Sequence, residues 1–274
     1  MLGKLLKHEF RATGRLMLPI YGALVILAVL GNLAIRFVNV TGSTFLTVVF
    51  GILIAFFVIG IIAACVMTAV MMIGRFYRSL LGPQGYLTHT LPVSVHAHVW
   101  SKLIAALVWI IATVLVVWVI LLLTLLIQSG TDLGAMFEGV PTWAEIRQGL
   151  IEEGIAPGEV TVMMIESLVI GLLGLILTCL HFYAAMAIGH TFAKNKVLMS
   201  IVVFIGISFV FNTLSSVVGS VGAQTMVNLE FDDLQSGLHF VRNIFGYGLG
   251  LTVIQGLILY WATVLGLKKG LNLA

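Results

Sequence analysis

The chain has 274 residues, of which 60% are hydrophobic and 9% are charged, and its formal net charge at pH 7 is +3. A soluble globular domain carries about 25% charged residues, so this composition excludes a water-facing surface over most of the chain. Backbone polar groups must pair internally in hydrocarbon, and the long apolar runs do not alternate with polar residues, so the sequence predicts an all-α membrane protein rather than a barrel.

The first predicted element is a short amphipathic helix over residues 1–15. Apolar side chains recur on one side of it at helical spacing, and basic side chains occupy the other side. This pattern is typical of a helix that lies in the lipid headgroup region, so we expect an interfacial anchor (an elbow helix) here. Its anchor residues are Lys4, Lys7, Phe10, Arg11 and Arg15. The apolar run that follows lacks a small-residue cleavage site, which favours an uncleaved span over a signal peptide.

Six apolar stretches are long enough to cross a bilayer as helices, for which about 20 residues suffice. The predicted spans cover residues 16–35, 44–74, 102–127, 160–188, 197–218 and 244–267. The second span is longer than the ~30 Å of hydrocarbon requires, so it should tilt or project beyond the membrane. Together the spans form one transmembrane domain over residues 16–274.

The distribution of charge predicts which side of the membrane each loop faces. Eleven of the 14 basic residues fall in residues 1–15, 75–102, 190–196 and 268–274, together with a single acid, Glu9. Loops on the cytoplasmic side carry an excess of Lys and Arg. We therefore expect both termini and the 75–101 loop in the cytoplasm.

Most of the acids lie in the opposite loops, above all in the extracytoplasmic 128–159 stretch. Within it, Thr142 and Glu145 have the spacing of a capping box, which predicts a helix of about ten residues up to Glu153. With the acids of residues 230–233, this loop forms an acidic rim. The rim either attracts a cationic peptide on its way out or simply keeps the outer face poor in positive charge.

Few residues in the predicted spans could carry chemistry. Glu166 is the main ionisable residue at depth; it lines a substrate path, pairs with Arg147 or Arg242, or lies at interfacial depth. Cys65 and Cys179 fall inside apolar runs and are expected to be small buried residues. The sequence has no phosphate-binding loop and no metal-ligand spacing, so we expect no catalytic residue, no metal and no cofactor on this chain.

Small residues one helical turn apart let helix backbones approach closely. Wholly within a predicted span, the strict Gly-xxx-Gly spacing occurs at Gly246 and Gly250, and a looser pair occurs at Gly60 and Ala64. Because the chain holds 29 glycines, ordinary helix packing explains such pairs.

The loop between the second and third spans is the most informative segment. Gly82 and Pro83 should end the extension of the second span, and Pro83 can start a short helix across residues 84–90. Pro92 should stop that helix, and Ser94 is a candidate N-cap for the third span. The short helix presents apolar side chains either to a protein surface or to the bilayer interface. These side chains are Tyr86, Leu87 and Leu91.

With the basic N-terminal helix, this loop resembles those of ABC-2-type permeases, the membrane-spanning subunits of bacterial ABC exporters. The shared pattern is Phe-Tyr-x-Ser-Leu, then Gly-Tyr-Leu-Thr-x-Thr-Leu-Pro-Val-Ser, and then Ser-Lys. The resemblance is specific over residues 1 to about 127, and beyond them it rests on the six-span topology. It implies a coupling helix within residues 82–90 that docks on a separate ATPase subunit. The docking residues would be Gly82, Pro83, Gly85, Tyr86, Leu87, His89 and Leu91.

The function that this resemblance implies is export of a hydrophobic or amphipathic substrate across a bacterial plasma membrane. ATP and Mg²⁺ would bind to the ATPase partner, a homo- or heterodimer, and a second permease chain, identical or homologous, would complete the pathway. Membrane lipid is an expected partner and nucleic acid is not. The alternative is a membrane scaffold or sensor in peptide resistance or signalling, which does not transport. A secondary transporter would show internal symmetry and polar residues at mid-membrane depth, and neither is evident.

Overall fold

The computed structural model describes residues 2–41, 44–82, 85, 93–129, 138–192, 195–227 and 234–270. Within these ranges the chain forms seven α-helices and no strand. In chain order they are α1 (Leu2–Thr41), α2 (Thr44–Phe76), α3 (Val95–Ser129), α4 (Trp143–Glu152), α5 (Pro157–Gly189), α6 (Lys196–Val227) and α7 (Leu234–Gly270). A π-helical turn, Tyr77–Leu81, continues α2.

Every helix except the short α4 is long and apolar enough to cross a membrane, as the sequence predicted. The six candidate spans are Leu2–Leu33, Thr47–Leu81, Val95–Ile127, Pro157–Gly189, Lys196–Ser220 and Phe240–Lys269. These helices expose large aliphatic and aromatic side chains along most of their length. Such a surface is unfavourable in water and is suited to contact with lipid. This architecture is that of a multi-pass membrane protein.

Helix α1 is continuous from Leu2 to Thr41, whereas the sequence predicted a separate element ending at Arg15. Of the predicted anchor residues, the four basic ones are exposed, and Phe10 is partly buried against Trp109 of α3 at a ring-centroid distance of 6.4 Å. The hydropathy of the chain changes near Arg15, but the helix continues through Gly14 and Pro19. A change in polarity along a helix alters which solvent surrounds it without ending its hydrogen bonds.

Helix α4 has the start and the length that the sequence predicted. The Thr142 hydroxyl accepts a hydrogen bond from the Glu145 N–H at 3.4 Å, and the Thr142 N–H donates to Glu145 Oε2 at 2.7 Å. This reciprocal pair is a capping box. At the other end the Ile155 N–H donates to the Leu150 carbonyl at 2.8 Å, and Gly154 adopts φ +76°. A left-handed glycine with this bond is a common helix stop.

Contacts divide the chain into two compact units. Unit 1 comprises Met1–Arg75 and Ala97–Val140, and unit 2 comprises Phe76–His96 and Pro141–Ala274. In unit 1, α1, α2 and α3 share an apolar core. In unit 2, α5 packs along both α6 and α7. The core of unit 1 contains Leu24, Ala28, Ala64 and Ile120.

The small-residue pairs differ in what they contact. A Cβ placed at Gly246 or Gly250 would meet no atom of the described residues within 4 Å, so this strict pair does not mark a close approach there. The looser pair does lie in a helix contact. Ala64 is fully buried in the core of unit 1, and a Cβ on Gly60 would lie 3.1 Å from a methyl group of Leu24.

Two close backbone approaches in unit 2, both at glycines, were not predicted. A Cβ on Gly266 of α7 would lie 2.9 Å from the carbonyl carbon of Ala187 of α5. A Cβ on Gly189 at the end of α5 would overlap the backbone of Ser200 of α6. These glycines let α5 touch both neighbours with its backbone.

The two cysteines differ in burial. Cys179 of α5 is buried, as expected, but Cys65 of α2 is exposed, so the prediction of burial is wrong for it. A thiol is small and weakly polar, so it can face lipid as readily as a packed interior.

Candidate functional site

The segment that leaves α2 is the start of the loop that the sequence singled out. Helix α2 passes into the π-helical turn at Tyr77, and the turn ends at Gly82, whose backbone is extended (φ −85°, ψ −172°). The Gly82 N–H donates to the Tyr77 carbonyl at 2.8 Å. The predicted stop at Gly82 for the helical extension of the second span is therefore confirmed. The π-helical turn itself was not predicted, and such turns occur often at functional sites.

Aromatic side chains hold this segment in unit 2. The ring of Phe76 stacks on the ring of Tyr183 of α5, with centroids 4.0 Å apart and planes 10° apart, and both residues are almost fully buried. Tyr77 meets the imidazole of His190 edge-on at 6.0 Å. Leu80 is 1% exposed. The start of the loop is thus packed against side chains of unit 2.

The end of the loop is held in the same unit. Helix α3 begins at Val95, directly after the predicted N-cap residue. On its first turn, His96 Nδ1 lies 2.6 Å from the hydroxyl oxygen of Tyr260 of α7, and Trp261 approaches the same imidazole edge-on at 6.4 Å. We call the contacts of Phe76, Tyr77 and Leu80 at one end, and of His96 at the other, the loop anchor.

The loop anchor brackets the predicted docking residues. Gly82 and Gly85 are within the described residues, and the Gly85 N–H donates to the Gly82 carbonyl at 2.8 Å. Gly85 is buried, and a Cβ there would lie 2.8 Å from the Leu80 carbonyl oxygen, so the chain passes close to its own preceding turn. The other docking residues lie outside the described residues. They are Pro83, Tyr86, Leu87, His89 and Leu91.

The turn between α5 and α6 adds a titratable group next to the loop anchor. The ammonium nitrogen of Lys196 lies 3.4 Å from Nε2 of His190. Burial, and then the positive charge of Lys196, lower the pKa of His190 below its usual 6.5. The imidazole against which Tyr77 packs is therefore neutral at physiological pH.

Glu166, the predicted candidate for a substrate path, lies on α5 and is partly buried. Its Oε2 atom is enclosed and has no hydrogen-bond partner among the described residues. Arg147 and Arg242, which the structure also describes, are exposed and form no ion pair with it. The structure does not bring this carboxyl group together with the loop anchor contacts.

A second group of polar residues, in unit 1, was missed by the sequence interpretation. Glu9 of α1 accepts hydrogen bonds from Arg75 Nη2 at 2.9 Å and Nε at 3.3 Å, and it also pairs with Lys102 of α3. The side chains of Glu9 and Lys102 are 12% and 7% exposed. In the sequence, Glu9 is a lone acid among basic residues, and this could have indicated an ion pair. Nothing in the sequence identified Arg75 and Lys102 as its partners.

This ion pair begins a line of polar contacts between α1 and α3, which we call the polar seam. It consists of four residue pairs, and in each pair the α3 residue follows the α1 residue in the chain by 93, 96, 92 or 92 positions, in order along α1. An almost constant offset means that the two helices run parallel. The pairs are Glu9 with Lys102, Thr13 with Trp109 (2.7 Å), Tyr21 with Thr113 (2.7 Å) and Asn32 with Thr124 (3.1 Å). Such hydrogen bonds fix two helices against each other within a membrane.

Comparison with known proteins adds no relative. No protein-family model matches the chain, and no curated protein and no solved structure matches it either.

Proposed function

We propose that this chain is the permease subunit of an ABC-type exporter of the ABC-2 kind. It would move a hydrophobic or amphipathic substrate outward with energy from ATP hydrolysed on a separate subunit. The chain has no phosphate-binding loop of its own, so ATP and Mg²⁺ would bind to that partner. A second permease chain would complete the pathway.

The observation that supports this proposal most is the loop anchor. A loop that receives force from a motor must pass it to helices, and a flexible loop would absorb it. Here the residues on both sides of the loop are packed into unit 2, through Phe76 on Tyr183 at one end and His96 on Tyr260 at the other. Force on residues 82–94 would therefore reach α5 and α7 directly.

The charge distribution supplies the orientation in this proposal. Both termini and residues 82–94 would face the cytoplasm, because most of the Lys and Arg residues lie on that side. The exposed basic side chains on the first turns of α1 would then meet anionic lipid headgroups. The location would be a bacterial plasma membrane.

A photo-crosslinking experiment tests the docking role. A photoreactive amino acid at Tyr86, in the full chain and its native membrane, should crosslink to an ATPase that binds nucleotide, and ATP should change the yield. The matched control is Trp143, which is also a large aromatic residue, 47% exposed, but lies on α4; the same group there should not capture the ATPase.

Two results would contradict the proposal. One is capture at Tyr86 of a protein that binds no nucleotide, which would favour a scaffold or sensor. The other is transport by the purified chain in liposomes that contain no ATP-hydrolysing protein.

A further inference from the structure

One face of α6 is uncovered and has the residue spacing of a helix that pairs with another helix. Seven exposed residues recur along it at alternating intervals of four and three positions. This is the seven-residue repeat of helices that pack side by side in a coiled coil, and most helix pairs in membranes share that geometry. We call these residues the α6 stripe: Leu198, Val202, Ile205, Phe209, Asn212, Ser216 and Gly219.

The opposite side of α6 is held by its own unit. Phe204 stacks on Phe182 of α5 with ring centroids 4.8 Å apart, and Phe211 meets the imidazole of His181 at 6.0 Å. None of residues 196–220 is fully buried, so these contacts cover one side of the helix only. The α6 stripe lies on the side that unit 2 leaves uncovered.

An amide stands in the middle of the α6 stripe. Helix α6 runs from Lys196 to Val227, and every window of about 20 residues within it, the length that crosses the hydrocarbon, contains Asn212. Asn212 Nδ2 donates to the Ser208 carbonyl at 2.8 Å, and its second N–H and its Oδ1 have no partner among the described residues. Because Asn212 is exposed, a neighbouring molecule can reach this side chain. An unpaired amide in hydrocarbon is costly, so the neighbour should supply both a donor and an acceptor.

A second copy of the chain meets this requirement. An amide is both donor and acceptor, so two amides can bond to each other reciprocally. Copies in one membrane share their orientation, so a two-fold axis along the membrane normal sets two α6 helices parallel and places Asn212 opposite the same residue of the other copy. The neighbouring Ser216 and Gly219 are small, which lets the two backbones approach. An acyl chain cannot pair the amide, and a transported substrate would cover it only while bound.

We infer that two copies of the chain pair through the α6 stripe, with reciprocal hydrogen bonds between their Asn212 amides. The inference rests on the proposed function for the presence of a second permease chain, and it adds the surface through which an identical one binds. Its test needs neither ATP nor transport. A permease that pairs through another face and a dimer that transports nothing would therefore be told apart.

Disulfide crosslinking in native membranes tests the contact. In the full chain with Cys65 and Cys179 replaced by alanine, Asn212→Cys should form a disulfide-linked dimer on mild oxidation. The matched control is Leu214→Cys, because Leu214 is 50% exposed but lies about 200° around the helix from Asn212. This control should give no more dimer than the chain without cysteines.

Energy transfer between donor-labelled and acceptor-labelled chains in bicelles tests the amide. A neutral hydrogen bond is worth about fivefold in an association constant, so Asn212→Leu, which removes two, should weaken dimerisation about 25-fold. Thr213→Val is the control, because the exposed Thr213 hydroxyl donates to the Phe209 carbonyl of its own helix at 2.8 Å. Its association should equal that of the unaltered chain.

Three results would overturn the inference. The first is equal dimer formation by Asn212→Cys and Leu214→Cys, or none by either. The second is reaction of Asn212→Cys with a membrane-impermeant thiol reagent and no dimer, which would mean that a water-filled path covers the amide. The third is unchanged association of Asn212→Leu, which would mean that the amides do not bond to each other.

Discussion

The contact between Gly266 and Ala187 gives the sharpest prediction for unit 2. In Gly266→Ala the new Cβ would lie 2.9 Å from the carbonyl carbon of Ala187 and 3.0 Å from its Cβ and carbonyl oxygen. Carbon atoms pack best at about 3.5–4.0 Å, so α5 and α7 must separate by about 0.5 Å or more. Overpacking of this kind costs about 1–3 kcal/mol, and better helix propensity returns at most ~1 kcal/mol. The variant should lose about 1–2 kcal/mol of its free energy of unfolding.

A glycine on the same helix provides the matched control. Gly250→Ala places its Cβ where no described atom lies within 4 Å, so the gain in helix propensity should act alone and leave the protein equally or slightly more stable. Both free energies of unfolding can be measured on the purified chain in bicelles by steric trapping. If Gly266→Ala proves as stable as Gly250→Ala, α5 and α7 do not meet through their backbones at this glycine.

Three further predictions concern polar groups. Glu9→Gln leaves the nearly buried Lys102 without its carboxylate and should lower the free energy of unfolding by about 3 kcal/mol. The double variant Glu9→Gln/Lys102→Met should recover part of this loss. If Glu9→Gln alone leaves the stability unchanged, the ion pair does not form. Tyr21→Phe removes a 2.7 Å hydrogen bond to a threonine hydroxyl of α3 and should cost about 1 kcal/mol by the same assay, whereas no loss would mean that the bond does not form. In an NMR pH series, the pKa of His190 should lie below 6.5 and should rise in Lys196→Gln. Because this pKa is lower in the folded chain than in the unfolded chain, the free energy of unfolding should fall as pH drops through 6.5 toward the lowered pKa. A pKa of 6.5 or above for His190 by NMR would refute this prediction.

Features that depend on local sequence were predictable. The six spans follow from hydropathy, the stop at Gly82 after the extension of the second span follows from backbone chemistry, and α4 follows from the Thr142 and Glu145 pair. Each of these signals lies within about a helical turn or within one continuous apolar run. No knowledge of the partner segment was needed.

Features that depend on distant partners were not predictable. The polar seam joins residues more than 90 positions apart, and hydropathy does not reveal which face of a membrane helix meets which neighbour. Gly266 was overlooked for the same reason, since its partner lies on α5 and not one turn away on its own helix. The predicted docking helix falls mostly outside the described residues and stays a prediction.

The parallel arrangement of the polar seam limits how unit 1 can move. A slide of α1 past α3 by one helical turn would displace each pair by about 5.4 Å, well beyond the reach of a hydrogen bond. Because the pairs are spread from Glu9 to Asn32, they would all break together. While these hydrogen bonds persist, α1 and α3 cannot shift past each other by one turn. The two helices should therefore move together as a rigid pair in any conformational change.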